Sequence, residues 1–85
     1  MAKYNGWTNR ATWNVALWCD NDYNLYQTKM AFIRELAGKP GGKRNISGMR
    51  VRNVCERMFG DVTPDNCKLK STNWAEIARS WRDEA

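Results

Sequence analysis

No histidine occurs anywhere in the 85 residues. That absence removes Ser-His and Cys-His nucleophile pairs, histidine acid–base chemistry, His-containing metal sites and a histidine pH switch. No apolar run approaches the ~18 residues of a membrane span. The opening Met1-Ala2-Lys3-Tyr4-Asn5-Gly6 lacks the hydrophobic segment of a secretory signal. A cytoplasmic protein that binds no membrane is therefore expected. Cysteine is sparse and odd in number: Cys19, Cys55 and Cys67. Their wide spacing suits neither a disulfide framework nor the C-x₂₋₄-C pairs of a zinc site. They are expected as reduced thiols filling small spaces in the core. Neither a metal nor a cofactor is expected.

What is present is a globular composition: 42% hydrophobic, with five tryptophans. The length fits one domain spanning residues 1–85. After a lead-in, Thr8-Asn9 offers a helix cap before Arg10 to Cys19. Ala11, Val15 and Trp18 fall on one face there, widened by Trp13, Ala16 and Leu17. A buried strand through Val15–Cys19 is the rival assignment. Asp20-Asn21-Asp22 breaks this element and caps a second helix, Tyr23 to Ala37, with Tyr26, Met30, Ile33 and Ala37 as its stripe. A calcium loop would need more oxygen ligands and a later Glu than Asp20-Asn21-Asp22 provides.

Residues 38–48 hold four of the six glycines and one of the two prolines, and are expected to form a flexible basic loop. Ser47 caps a third helix, Gly48 to Phe59, with Val51, Val54, Cys55 and Met58 inward. Ile46 and Val51 are placed as a hydrophobic staple. Thr63-Pro64 predicts one short helical turn. Asn73 caps a last helix in which Trp74, Ile77, Ala78 and Trp81 form an amphipathic pattern. Trp13, Trp18, Trp74 and Trp81 are expected in the core. The expected fold is an all-α, compact four-helix domain with one short extra helical turn; a small α+β arrangement is the alternative. Thr8-Asn9-Arg10-Ala11 and Thr72-Asn73-Trp74-Ala75 share a Thr-Asn-x-Ala string, one capping solution used twice. A chain this short with five Trp is also compatible with a homodimer burying some of them between subunits.

The charge is localised. Lys39, Lys43, Arg44, Arg50 and Arg52 stand in a stretch with no acidic residue, and the other nine basic residues are balanced by nine acidic ones. The whole net charge of +5 thus sits on the glycine loop and the first turns of the third helix. Such a segment can bind anions: a helix start offers outward N–H groups and positive potential, and glycines allow close approach to phosphate. The plain alternative is a solvated loop that aids solubility. Gly38-Lys39-Pro40-Gly41-Gly42-Lys43 is not a P-loop, because Lys43 is followed by Arg44. Tyr4 and Trp7 fall outside the helical periodicity, so they either cover the core or form exposed aromatic contacts. Asp61 with Asp65, and Glu76 with Asp83, are the carboxylate pairs from which acid–base chemistry would have to be built, and no pattern singles them out.

The segment from Tyr4 to Asp22 is similar to the opening of a family of small phage and mobile-element proteins. Their W-x-N-x-x-T-W-N-V-x-L-W-x-x-N-D-like signature maps here onto Trp7, Asn9, Thr12, Trp13, Asn14, Val15, Leu17, Trp18, Asn21 and Asp22. The resemblance covers about the first quarter of the chain. It implies a phage or plasmid setting, where small accessory proteins counter host defences, as anti-CRISPR and anti-restriction proteins do. Many of those inhibitors are acidic DNA mimics, and this chain is basic. Three functions are therefore weighed. The first is a non-enzymatic inhibitor binding a host protein or protein–nucleic acid complex in the host cytoplasm, partly through the basic patch. The second is a protein binding DNA or RNA phosphates through residues 39–54. The third, and least favoured, is an enzyme using Cys55 or a carboxylate, since no activated nucleophile can be assembled here without histidine.

Overall fold

Four α-helices carry the fold in the computed structural model, which describes residues 4–85: α1 Arg10–Asn21, α2 Tyr23–Ala37, α3 Gly48–Phe59 and α4 Trp74–Asp83. The first three residues of the lead-in, Met1 to Lys3, lie outside the described residues. Among the described residues there is no strand, only two isolated antiparallel bridges, Tyr4–Trp7 and Val62–Lys68. The fold is all-α. The α+β alternative, which needs residues 13–19 or 66–70 extended, fails because 13–19 are helical and 66–70 pass through one isolated bridge into a 3₁₀ turn.

Each helix starts on a side-chain cap. Asn9, Asp22, Ser47 and Asn73 accept hydrogen bonds from the N–H of Thr12, Leu25, Arg50 and Glu76. Each such cap contributes about 1 kcal/mol by satisfying a donor that the helix itself leaves unpaired. Asp22 does double duty: its own N–H reaches Trp18 O at 3.1 Å and ends α1. The first two helices therefore share one joint residue. Gly60 ends α3 at φ +79° and ψ −133°, a conformation that side-chain-bearing residues avoid.

The core joins Val15, Ala16 and Cys19 of α1 to Ile33 and Leu36 of α2, Val51, Val54 and Cys55 of α3, and Ile77, Ala78 and Trp81 of α4. Ile46 and Leu69 complete it from the connections. Ile46 and Val51 are both fully buried, as the staple expects. Trp81 is the largest buried side chain, with the Phe32 ring edge-on at 5.6 Å. Burying an indole removes roughly 150–250 Å² from water, worth several kcal/mol. The other three expected core tryptophans are only half-buried. Trp18 and Trp74 sit at the edge because an indole N–H needs a partner: Trp18 Nε1 donates to Asp65 Oδ2 at 3.0 Å, and Trp74 Nε1 to Leu69 O at 3.2 Å.

Two stripes differ from expectation. In α1 the buried positions are Thr12, Val15, Ala16 and Cys19, with Asn14 beside them. In α2 the stripe is Lys29, Ile33 and Leu36; Tyr26 is exposed. In both, polar side chains lie inside because their polar atoms are satisfied there. The glycine segment holds local structure of its own. Gly42–Asn45 is a 3₁₀ turn, and Asn45 Nδ2 donates to Leu36 O at 2.9 Å and Pro40 O at 3.1 Å. The short helical turn expected at Thr63-Pro64 lies instead at Leu69–Ser71. Residues 63–67 form a non-helical loop with Asn66 at φ +65°, closed by Thr63 N–H on Cys67 O at 2.9 Å.

Candidate functional site

Asn9, Thr12, Asn14 and Trp18 take part in a polar seam between α1 and the segment 61–76. Asn14 is fully buried. Its Nδ2 donates to Asp65 Oδ2 at 2.8 Å, and its Oδ1 accepts from Thr63 Oγ1 at 2.6 Å. Thr12 Oγ1 donates to Asn9 Oδ1 at 2.7 Å and accepts from Asn73 N–H at 2.8 Å. Asn9 Nδ2 donates to Ser71 O at 2.9 Å, Asn73 Nδ2 to Thr8 Oγ1 at 3.2 Å, and Thr8 N–H to Glu76 Oε1 at 3.0 Å. The two Thr-Asn caps thus clasp each other. These bonds hold α1 to α4 and to the loop before it. The hydrogen bonds from Asn14 and then Trp18 hold the Asp65 carboxyl below the usual carboxylate range. Asp65 and Glu76 are engaged in this seam, while Asp61 and Asp83 make no side-chain hydrogen bond or ion pair among the described residues.

Tyr4 and Trp7 close a two-residue turn over Asn5-Gly6, both at positive φ, with Tyr4 N–H on Trp7 O at 2.6 Å. Asn-Gly is the sequence signal for that turn. Trp7 is half-buried against the core, and Tyr4, 40% exposed, lies 5.0 Å from the Trp13 ring. Of the two, Tyr4 is the more exposed aromatic.

All five cations of the basic segment are exposed: Lys39, Lys43, Arg44, Arg50 and Arg52. Only Arg52 forms an ion pair among the described residues, to Glu56 at 3.2 Å. Arg50 and Arg52 do not share one face of α3. Arg50 and Arg52 stand about 200° apart around α3. Arg50 lines a groove with Phe32, Glu35 and Arg57, whereas Arg52 lines one with Lys68 and Lys70. Lys68, Lys70 and Arg57 are thus cations of the site that a count along residues 39–54 misses. Acids share both grooves: Glu56 and Asp61 stand with Arg52, Lys68 and Lys70, and Glu35 with Arg50 and Arg57, so cations outnumber acids by one in each. On the Arg52 side of the helix, a groove of about 570 Å³ runs between Met49, Asn53 and Trp74. Gly48 sits on this side, where a Cβ would meet the Trp74 backbone at 3.3 Å, so the starts of α3 and α4 approach as closely as they do because residue 48 has no side chain.

The ionisable cluster missed in the sequence is Lys29. It is 1% exposed and ion-paired to Asp20 at 2.5 Å and Glu84 at 2.6 Å, with the Tyr26 ring 5.5 Å away. Burial works against its charge, but the bonds to Asp20 and Glu84 outweigh burial and raise its pKa above the ordinary lysine value. It is a locked cation, not a nucleophile. Cys19, Cys55 and Cys67 are free thiols, all buried. The Cys19 sulfur and burial push the Cys55 thiol far up, so the thiolate needed for nucleophilic chemistry is suppressed. No group of three or more potential metal ligands stands together among the described residues. No helix among them is long and apolar enough to cross a membrane.

Fold and surface together define a small all-α protein with an N-terminal polar clasp and a helix flanked by cations on both sides. The chain belongs to the Family of unknown function (DUF7249), whose model matches residues 1–84. Comparison with curated proteins and with solved structures gave no match.

Proposed function

We propose that the protein is a small non-enzymatic inhibitor, of the anti-CRISPR or anti-defence kind, that acts in the host cytoplasm on a nucleic-acid-handling complex. The observation that carries this reading is the exposure of Lys39, Lys43, Arg44, Arg50 and Arg52, four of them outside any ion pair among the described residues. Burial of the thiols and engagement of Lys29, Asp65 and Glu76 in structural bonds support a non-catalytic role. Pull-down from host lysate, with and without nuclease, tests it. The expected result is one host complex recovered in stoichiometric amount, and lost with the Lys43→Ala/Arg44→Ala/Arg50→Ala variant. Recovery of no host protein at that level overturns it. A homodimer belongs to the same proposal and falls if light scattering gives the mass of one chain.

A second reading, direct binding of DNA or RNA, is favoured by the placement of cations on both flanks of α3. It expects affinity for labelled nucleic acid to fall with salt at a log–log slope of about −0.7 to −0.9 per phosphate contact. A flat salt dependence removes it.

A further inference from the structure

The outward surface of α3 has a crest and two flanks. The crest carries Met49, Asn53 and Glu56, all exposed. Asn53 borders the grooves on both sides, which places it at the top of the helix. Arg50 and Arg57 form one flank and Arg52 the other. Lys68 and Lys70 extend the Arg52 flank beyond the helix.

We infer that α3 is a reading helix that lies in the major groove of duplex DNA, with Asn53 contacting a base edge and the flanking arginines contacting the phosphates on either wall. This rests on the second reading above, that the protein binds nucleic acid directly. The groove of B-DNA is about 12 Å wide, so it admits one helix and presents a row of phosphates on each side of it. Cations on both flanks match those two rows. The crest has the chemistry of the groove floor: an amide pairs with adenine N6 and N7, an apolar side chain with the thymine methyl, and a carboxylate with cytosine N4. A face built for phosphate alone has no use for a carboxylate on its crest or for Met49 at 76% exposure. Glu56 is partly neutralised by Arg52, which lowers its repulsion from the backbone. Double-stranded RNA is excluded as the occupant because its major groove is too narrow and deep for such a helix.

The test is selection from a pool of DNA duplexes with a randomised centre, using the full chain at fixed salt. Wild type is expected to enrich one sequence that contains an A·T pair. Asn53→Ala is expected to lose the preference at that pair and to bind the selected duplex about ten- to a hundred-fold more weakly, with the salt slope unchanged. Arg57→Gln is expected to weaken selected and random duplexes alike and to lower the slope by about one. Asn53 and Arg57 are exposed and make no side-chain hydrogen bond among the described residues, so both variants should melt like wild type. Duplex binding with no enriched sequence, or an Asn53→Ala variant that selects as wild type does, overturns base reading while leaving phosphate binding in place. Binding to no nucleic acid even at low salt overturns both. Preference for single strands or RNA overturns the major-groove reading helix while leaving nucleic-acid binding in place.

Discussion

Removing Lys29 and removing its two carboxylates are not equivalent changes. Asp20 and Glu84 are partly exposed, so they regain water when the ammonium goes. Lys29→Met keeps the packing and is expected to cost at most about 1 kcal/mol in chemical denaturation. Asp20→Ala with Glu84→Ala strands a buried ammonium and should cost about 3 kcal/mol. Equal costs would show that packing, not charge, decides the site. The pH dependence follows from the same group. A raised lysine pKa gives stability that is complete below the ordinary value of 10.5 and is lost as pH climbs through the raised one. Asp65 acts in the opposite direction. Its lowered pKa gives stability that is present above the ordinary carboxylate value and lost as pH falls through the lowered one. The gap in melting temperature between wild type and Asp65→Asn should therefore begin to close only below about pH 4 and vanish in stronger acid; a gap that persists in strong acid would mean the carboxylate charge is not what Asn14 and Trp18 hold. Asn14→Ala leaves Thr63 Oγ1 without its acceptor in a buried place and is expected to cost about 2–4 kcal/mol. Cys55 should resist thiol reagents in the native protein and react only on unfolding; rapid labelling of folded protein would contradict its burial.

At the scale of elements, Gly48→Val is expected to push the starts of α3 and α4 apart and lower the melting temperature, since the blocking atoms belong to the Trp74 backbone and cannot rotate away. The helices were legible because their ends are chemical: a side-chain acceptor at each start, and Gly38 and Gly60 at two of the stops. The inward faces of α3 and α4 were legible because apolar spacing alone defines them. The faces of α1 and α2 were not. Thr12, Asn14 and Lys29 are polar, and a periodicity count assigns polar residues to water. Only their partners, far along the chain, bring them inside. The placement of the cations was hidden for a related reason. A run of basic residues in sequence reads as one patch, but helical rotation sends Arg50 and Arg52 to opposite flanks and brings in Lys68 and Lys70 from a segment that balances its own charge. The Asn5-Gly6 turn was legible in principle, since both residues must take positive φ, which that dipeptide favours over others.

Over the whole molecule, the clasp between the starts of α1 and α4 joins positions 61 to 68 residues apart. Each of the two helices can form its first turn with its own cap, whereas the bonds between them need the intervening chain already collapsed. The clasp therefore has a place in time as well as in space. It should close after the folding barrier, as the last act of assembly. Thr12→Val, which removes the acceptor for Asn73 N–H, is expected to speed unfolding and leave the refolding rate nearly unchanged, giving a φ-value near zero by stopped-flow. Refolding slowed in proportion to the lost stability would put the clasp in the nucleus instead. If it closes last, it also opens first. The lifetime of the native state is then set where α1 meets α4 and the segment before it, beside the start of the cationic helix, since Gly48 stands against the Trp74 backbone there.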